Sequence, residues 1–188
     1  MPSAREVVAA LYGAWRLMRF DAGGMAWFDV SITGFWRSFF AAVLVAPGFA
    51  VLLALDLAAR GEPVGFGRAI VVWIVAYAVM WAAFPIAAIL ITRLLGLGGR
   101  YIPLIIAYNW ANVPQVLLNL LAALISAGGN ELGEGGGLVV LATFIYLRVY
   151  LWFVMRAALE TTSLTAVAIV LFDLVIGAII GFTASRLV

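Results

Sequence analysis

Five long stretches of this chain carry almost no charge, at about 38–55, 69–92, 101–127, 138–159 and 163–185. About 20 consecutive apolar residues cross the roughly 30 Å of bilayer hydrocarbon as a helix, so each stretch is near or above the length needed. Arg37 and Asp56 bound the first, Arg68 and Arg93 the second. Hydrocarbon offers the backbone no hydrogen-bond partner, and a segment crossing it satisfies its own N–H and C=O groups by coiling into a helix. The sequence therefore predicts an all-α, polytopic membrane bundle of five transmembrane helices over 35–188, with 1–34 as a cytoplasmic arm. Composition agrees: 66% of the 188 residues are apolar and 11% charged, where a soluble domain has about 25% charged.

What is missing narrows the chemistry. The chain has no Cys, His or Lys. Disulfides, thiolate nucleophiles, the commonest general base and metal ligand, Schiff-base lysines and Walker lysines are all excluded. An enzyme is the least expected class, and neither a cofactor nor a metal site is expected. A formal net charge of +2, with arginines spread singly along the chain, points away from nucleic acid.

Orientation follows from arginine. On one side of the five crossings fall Arg5, Arg16, Arg19, Arg37, Arg93, Arg100 and Arg156; on the other, Arg60, Arg68 and Arg186. The positive-inside rule then puts the N-terminus in the cytoplasm and the C-terminus outside. Run 101–127, with its amides and prolines, is the crossing that could instead be re-entrant, which would bring the C-terminus inside. Eleven Arg with no Lys suggests a GC-rich genome and so a bacterial inner membrane.

In the arm, Ser3 followed by Glu6 is a capping-box pattern, and a helix is expected from Ala4 to about Phe20, stopped by Gly23 and Gly24. At helical spacing Arg5, Tyr12, Arg16 and Arg19 share one face, with Val7, Val8, Leu11, Trp15 and Met18 largely opposite. Such a basic amphipathic helix is expected to lie in the headgroup layer, Trp15 and its neighbours toward lipid and Arg5, Arg16 and Arg19 toward anionic headgroups. The alternative is a helix packed on the protein's own cytoplasmic face. Trp27, Phe28, Phe35 and Trp36 fit an interfacial aromatic belt.

Two constellations lie at membrane depth. Arg148 and Asp173 sit in the fourth and fifth runs, joined by the short connector 160–163. Each is about 12.5 residues from the Glu160–Thr161 bond within it, so in an antiparallel hairpin turning there both lie roughly 19 Å from the turn, at one depth. A lone charge there costs about 2.5–3.5 kcal/mol on insertion scales, so the spacing predicts a pair. It reads either as an ion pair that selects helix packing or as a proton or ion relay. Gly177, Gly181 and Ser185 continue the ridge of Asp173 every four residues, a GxxxG pattern expected at a packed or self-associating helix face. In the third run Asn109, Asn112, Gln115 and Asn119 fall within about 120° of one face, and Pro114 is expected to kink the helix there. These amides could line a solute path or simply bond neighbouring helices. The Gly-rich connector 128–137, with Glu131 and Glu134, reads as an acidic solvated loop.

The layout resembles the Yip (Ypt-interacting protein) family of small five-span membrane proteins, bacterial members included. The likeness lies in the N-terminal arm, the five closely spaced spans, and the Tyr and Pro of the third span, Tyr108 and Pro114 in IIAYNWANVPQVLL; Ala107 stands where that family usually has Gly. The resemblance implies a non-enzymatic protein of membrane organisation, a scaffold with membrane-protein partners or copies of itself. The alternative class is a small transporter or channel subunit using the span-three amides and the Arg148/Asp173 pair.

Overall fold

In the computed structural model, which describes residues 1–60, 66–127 and 135–188, the chain is a bundle of helices with no strand among those residues. The acidic connector expected at 128–137 lies outside the described residues over 128–134. An arm helix α1 (Ala4–Met18) and a short 3-10 segment (Ala22–Trp27) precede α2 (Ile32–Ser38) and α3 (Phe40–Arg60). Then follow α4 (Phe66–Leu94), α5 (Tyr101–Ala127), α6 (Gly135–Leu159) and α7 (Ser163–Arg186). Five helical stretches are long and apolar enough to cross a membrane: Ile32–Ala59, Gly67–Leu94, Gly98–Ala127, Gly136–Leu159 and Ser163–Arg186. This is an integral membrane helix bundle. The run that carries Pro114 is a single 27-residue helix passing through that proline.

The spans close into a ring. α3 packs on α5, α5 on α6, α6 on α7 and α7 on α4; Tyr77 Oη donates to the Ala42 carbonyl (2.6 Å) and its ring lies 4.8 Å from that of Phe49, joining α4 back to α3. α5 is the hub. Leu104, Ile105, Ile106 and Ala107 are consecutive and all buried, because α2, α3, α6 and the arm surround its first half.

Several ends use the same closing turn. After α1, Phe20 takes a left-handed φ of 58°, and its N–H and that of Asp21 return to the Leu17 and Arg16 carbonyls. This C-terminal motif usually places glycine at that position. Here Phe20 is held by ring contacts with Tyr146 and Phe153, so α1 stops at Met18, ahead of the glycines expected to end it. Gly96 and Glu160 occupy equivalent left-handed positions after α4 and α6, and Glu160 pairs with Arg100 at the start of α5.

The arm differs from expectation. The capping box forms as read, Ser3 and Glu6 each accepting from the other's backbone N–H. The face toward the protein, however, is Ala10, Gly13, Ala14, Leu17 and Met18, laid along α5 and α6. Tyr150 Oη donates to the Ala14 carbonyl (3.1 Å) and Tyr146 Oη to that of Met18 (2.7 Å). Tyr146 and Tyr150 are one turn apart on α6, so α1 packs along the side of that helix. The expected division of faces is corrected accordingly: Val8 and Trp15 stand exposed beside Arg5, Tyr12 and Arg19, while Arg16 turns to Asp21 at 2.6 Å. Small residues win the buried side because they let helix axes approach. At Gly13 and Gly24 the backbones come so close that a Cβ on Gly24 would meet the Gly13 carbonyl oxygen at 2.5 Å. Of the expected aromatic belt, Trp27 and Trp36 are exposed, whereas Phe28 is buried and Phe35 packs on Tyr101.

Candidate functional site

All five spans line a half-open chamber of about 350 Å³. α3 supplies Val45 and Phe49, and α4 supplies Tyr77, Met80, Trp81 and Phe84. These give one wall of rings. The other three spans supply the polar groups: Tyr108 and Asn112 from α5, Arg148 from α6, Asp173 from α7. The short α6–α7 connection, capped by the Thr162 side chain on the N–H of Thr165, makes the two helices adjacent. It brings Arg148 and Asp173 to the same level, as their equal distance from the turn requires.

The contact between them is loose. Arg148 Nη1 stands 3.9 Å from Asp173 Oδ2, too far for a hydrogen bond. Arg148 Nε is buried without a hydrogen-bond partner among the described residues, and the guanidinium carbon sits 5.5 Å from the centre of the Phe144 ring. Asp173 instead takes its close hydrogen bond from Tyr108, whose Oη donates to Oδ1 at 2.8 Å. The Tyr108 ring is fixed by stacking on Phe84, centroids 4.2 Å apart. Asn112 donates from Nδ2 to the Tyr108 carbonyl one turn back (2.9 Å).

Tyr108 is the member that residue-type reading missed. It falls within the same arc as the span-three amides, one turn before Asn112, so extending that stripe from amides to hydroxyls would have found it.

The stripe itself divides. Asn112 faces the chamber. Asn109 is fully buried on another side, donating to Ser38 Oγ (2.9 Å) with its own Oδ1 unpartnered. Gln115 is buried, and Asn119 is exposed. The four amides therefore do not form one path. Helix α5 is surrounded through its first half and bare toward its end, so residues sharing one helical face meet different surroundings at different depths.

The glycine ridge is also corrected. A Cβ added at Gly177 or Gly181 would meet nothing within 4 Å, so neither is a close-packing position within this chain. Gly177 borders the chamber and leaves it room, while Ser185 bonds back to the Gly181 carbonyl of its own helix (2.8 Å).

No protein-family model matches this chain, and neither the curated proteins nor the solved structures include a match to it.

Proposed function

We propose that this membrane protein binds a small solute in its central chamber and serves in that solute's transport, without covalent chemistry. One observation carries the reading: an arginine with an unpartnered buried nitrogen, beside an aspartate held by a tyrosine, faces a chamber walled by all five spans. Ionisable groups at membrane depth are costly and cluster where solutes or ions pass, and a concave, mostly apolar site with a few convergent polar groups is the usual form of a ligand pocket. The arginine asymmetry supports a cytoplasmic N-terminus in a bacterial inner membrane; a reporter fused after Val188 that is active only outside the cytoplasm supports it, and cytoplasmic activity overturns it. Purified protein in liposomes tests the transport reading. Flux of at least one solute from a broad panel is expected, lost in Asn112→Leu and Asp173→Asn; no flux across the panel overturns it.

A second reading, a membrane scaffold of Yip type, draws on the arm. Arg5, Val8, Tyr12, Trp15 and Arg19 form an exposed ridge, with Trp27 and Trp36 exposed nearby. Aromatic rings with guanidinium groups suit an anionic headgroup layer, and the open Gly181 side of α7 suits a second copy or another membrane protein. Under this reading Trp15 emission shifts to the blue when phosphatidylcholine nanodiscs are replaced by phosphatidylglycerol ones. Unchanged emission removes the headgroup contact.

A further inference from the structure

The two charges of the chamber leave each other's bonding capacity unused. At 3.9 Å the Arg148 Nη1 makes no hydrogen bond to Asp173, and its Nε has no partner. Asp173 Oδ1 is taken by Tyr108, while Oδ2 stands 3.9 Å from the guanidinium. The charges sum to zero. A solute bearing one charge would complete one of these groups and leave the other facing a like charge in a low-dielectric site, where uncompensated charge is most costly. A solute bearing both completes both.

Resting on the solute-binding reading above, we propose that the chamber takes a compact zwitterion, its anionic oxygens on the Arg148 guanidinium and its ammonium on Asp173 Oδ2. Guanidinium donors match a carboxylate or phosphate in a forked pair. The rings of Phe49, Tyr77 and Trp81 across the chamber supply an apolar wall for the remainder of the solute and π faces for its cationic end. A volume of about 350 Å³ lies at the small end of the ~300–1,000 Å³ of ligand pockets, and the bare Gly177 keeps it from shrinking. The same chemistry comes from two sources, a free amino-acid-like solute or the headgroup of a zwitterionic lipid.

The test varies the ligand, so it does not depend on whether a variant folds. The full chain in phosphatidylglycerol nanodiscs is titrated by calorimetry with leucine, with 3-methylbutylamine (leucine without its carboxylate) and with 4-methylpentanoate (leucine without its ammonium). Saturable leucine binding is expected, with each amputated analogue at least about tenfold weaker, since each forfeits a charge-assisted contact. Repeating the leucine titration in phosphatidylcholine nanodiscs separates the sources: binding weakened about tenfold identifies the lipid headgroup as a competing occupant, unchanged binding identifies the free solute, and both support the zwitterion. Either analogue binding as well as leucine, or no saturation by leucine in phosphatidylglycerol, overturns the proposal. The liposome panel then tells the two failures apart. An Asp173-dependent flux of a neutral or singly charged solute leaves the transport reading standing and removes only the zwitterion, whereas no flux removes both.

Discussion

At the arm end of the molecule, arginines and carboxylates touch: Arg16 with Asp21 at 2.6 Å, Arg37 with Glu6 and Arg100 with Glu160 in direct contact. Halfway along α6 and α7 they do not, Arg148 and Asp173 standing 3.9 Å apart around a chamber. Energetics alone would arrange these the other way. Exposed pairs contribute about 0–1 kcal/mol each because water serves either charge almost as well, while a poorly paired charge at depth is costly. Arg37–Glu6 ties the arm to α2 and Arg100–Glu160 ties the turn after α6 to the start of α5, while Arg16–Asp21 closes the end of α1 on itself. The loose one leaves the guanidinium of Arg148 without a hydrogen bond to Asp173 beside the chamber, as the solute-binding reading requires.

The comparison breaks most readily at its buried member. Asp173→Asn strands Arg148 and is expected to destabilise the fold by about 2.5–3.5 kcal/mol, read as lost folded yield and a lower melting temperature in detergent. Adding Arg148→Gln is expected to return part of that loss; strictly additive losses would mean the two do not interact. Next in size, Gly24→Ala drives a Cβ against the Gly13 carbonyl oxygen and is expected to cost about 1–3 kcal/mol. It loosens the arm, and freed termini are where proteolysis concentrates, so limited proteolysis should cut within about the first 30 residues while the spans stay intact. Gly177→Ala meets nothing and should leave melting unchanged or slightly raised by up to about 1 kcal/mol, while narrowing the chamber and weakening solute binding. Tyr150→Phe removes the hydrogen bond to Ala14 and should cost about 1 kcal/mol, measured as faster backbone exchange in α1.

The smallest effect is one of pH. Hydrogen bonds from the Ser3 backbone and hydroxyl hold the Glu6 carboxyl below its ordinary 4.5, and those from Arg16 and the Gly23 N–H hold Asp21 below 3.8. Carboxyls lowered in the folded state add stability that is complete above those ordinary values and is lost as pH falls through the lower folded ones. The arm is therefore expected to stay docked from neutral pH down to about pH 4.5 and to loosen only in stronger acid; Asp21→Asn abolishes its share of that dependence. Proteolytic sensitivity measured with an acid-stable protease checks it, and undocking near pH 6 would contradict it.

Much of this architecture was legible because lipid admits so few solutions. Uncharged length gave all five spans, and the distances of Arg148 and Asp173 from their turn gave their common level. Ser3 and Glu6 gave the start of α1. What escaped depended on neighbours that no periodicity reports. Helical spacing put Trp15 and Val8 largely opposite the arginines of α1, but the protein covers the side lined by Ala10, Gly13 and Ala14, where Tyr146 and Tyr150 reach for its carbonyls, and this leaves Val8 and Trp15 on the arginine side. The same spacing grouped Asn109 with Asn112, although Ser38 claims one and the chamber the other. Gly177 and Gly181 looked like a packing motif, since small residues serve close approach and empty space equally well. Tyr108 stood out only through the family resemblance and not as a polar group at depth, because a hydroxyl on a ring reads as apolar filling until the carboxylate it meets is known.

The uneven covering of the spans has a mechanical consequence. Eleven residues of α5 are buried but only four of α7, namely Ala166, Ile169, Val170 and Ala184. Under the transport reading, a hub gripped on every side resists displacement, and the walls that would yield are the thinly covered ones, α7 and also α3, of whose described side chains only Ala41 and Val45 are buried. Passage would then run sideways, out through the hydrocarbon flank, instead of along a pore through the bundle axis.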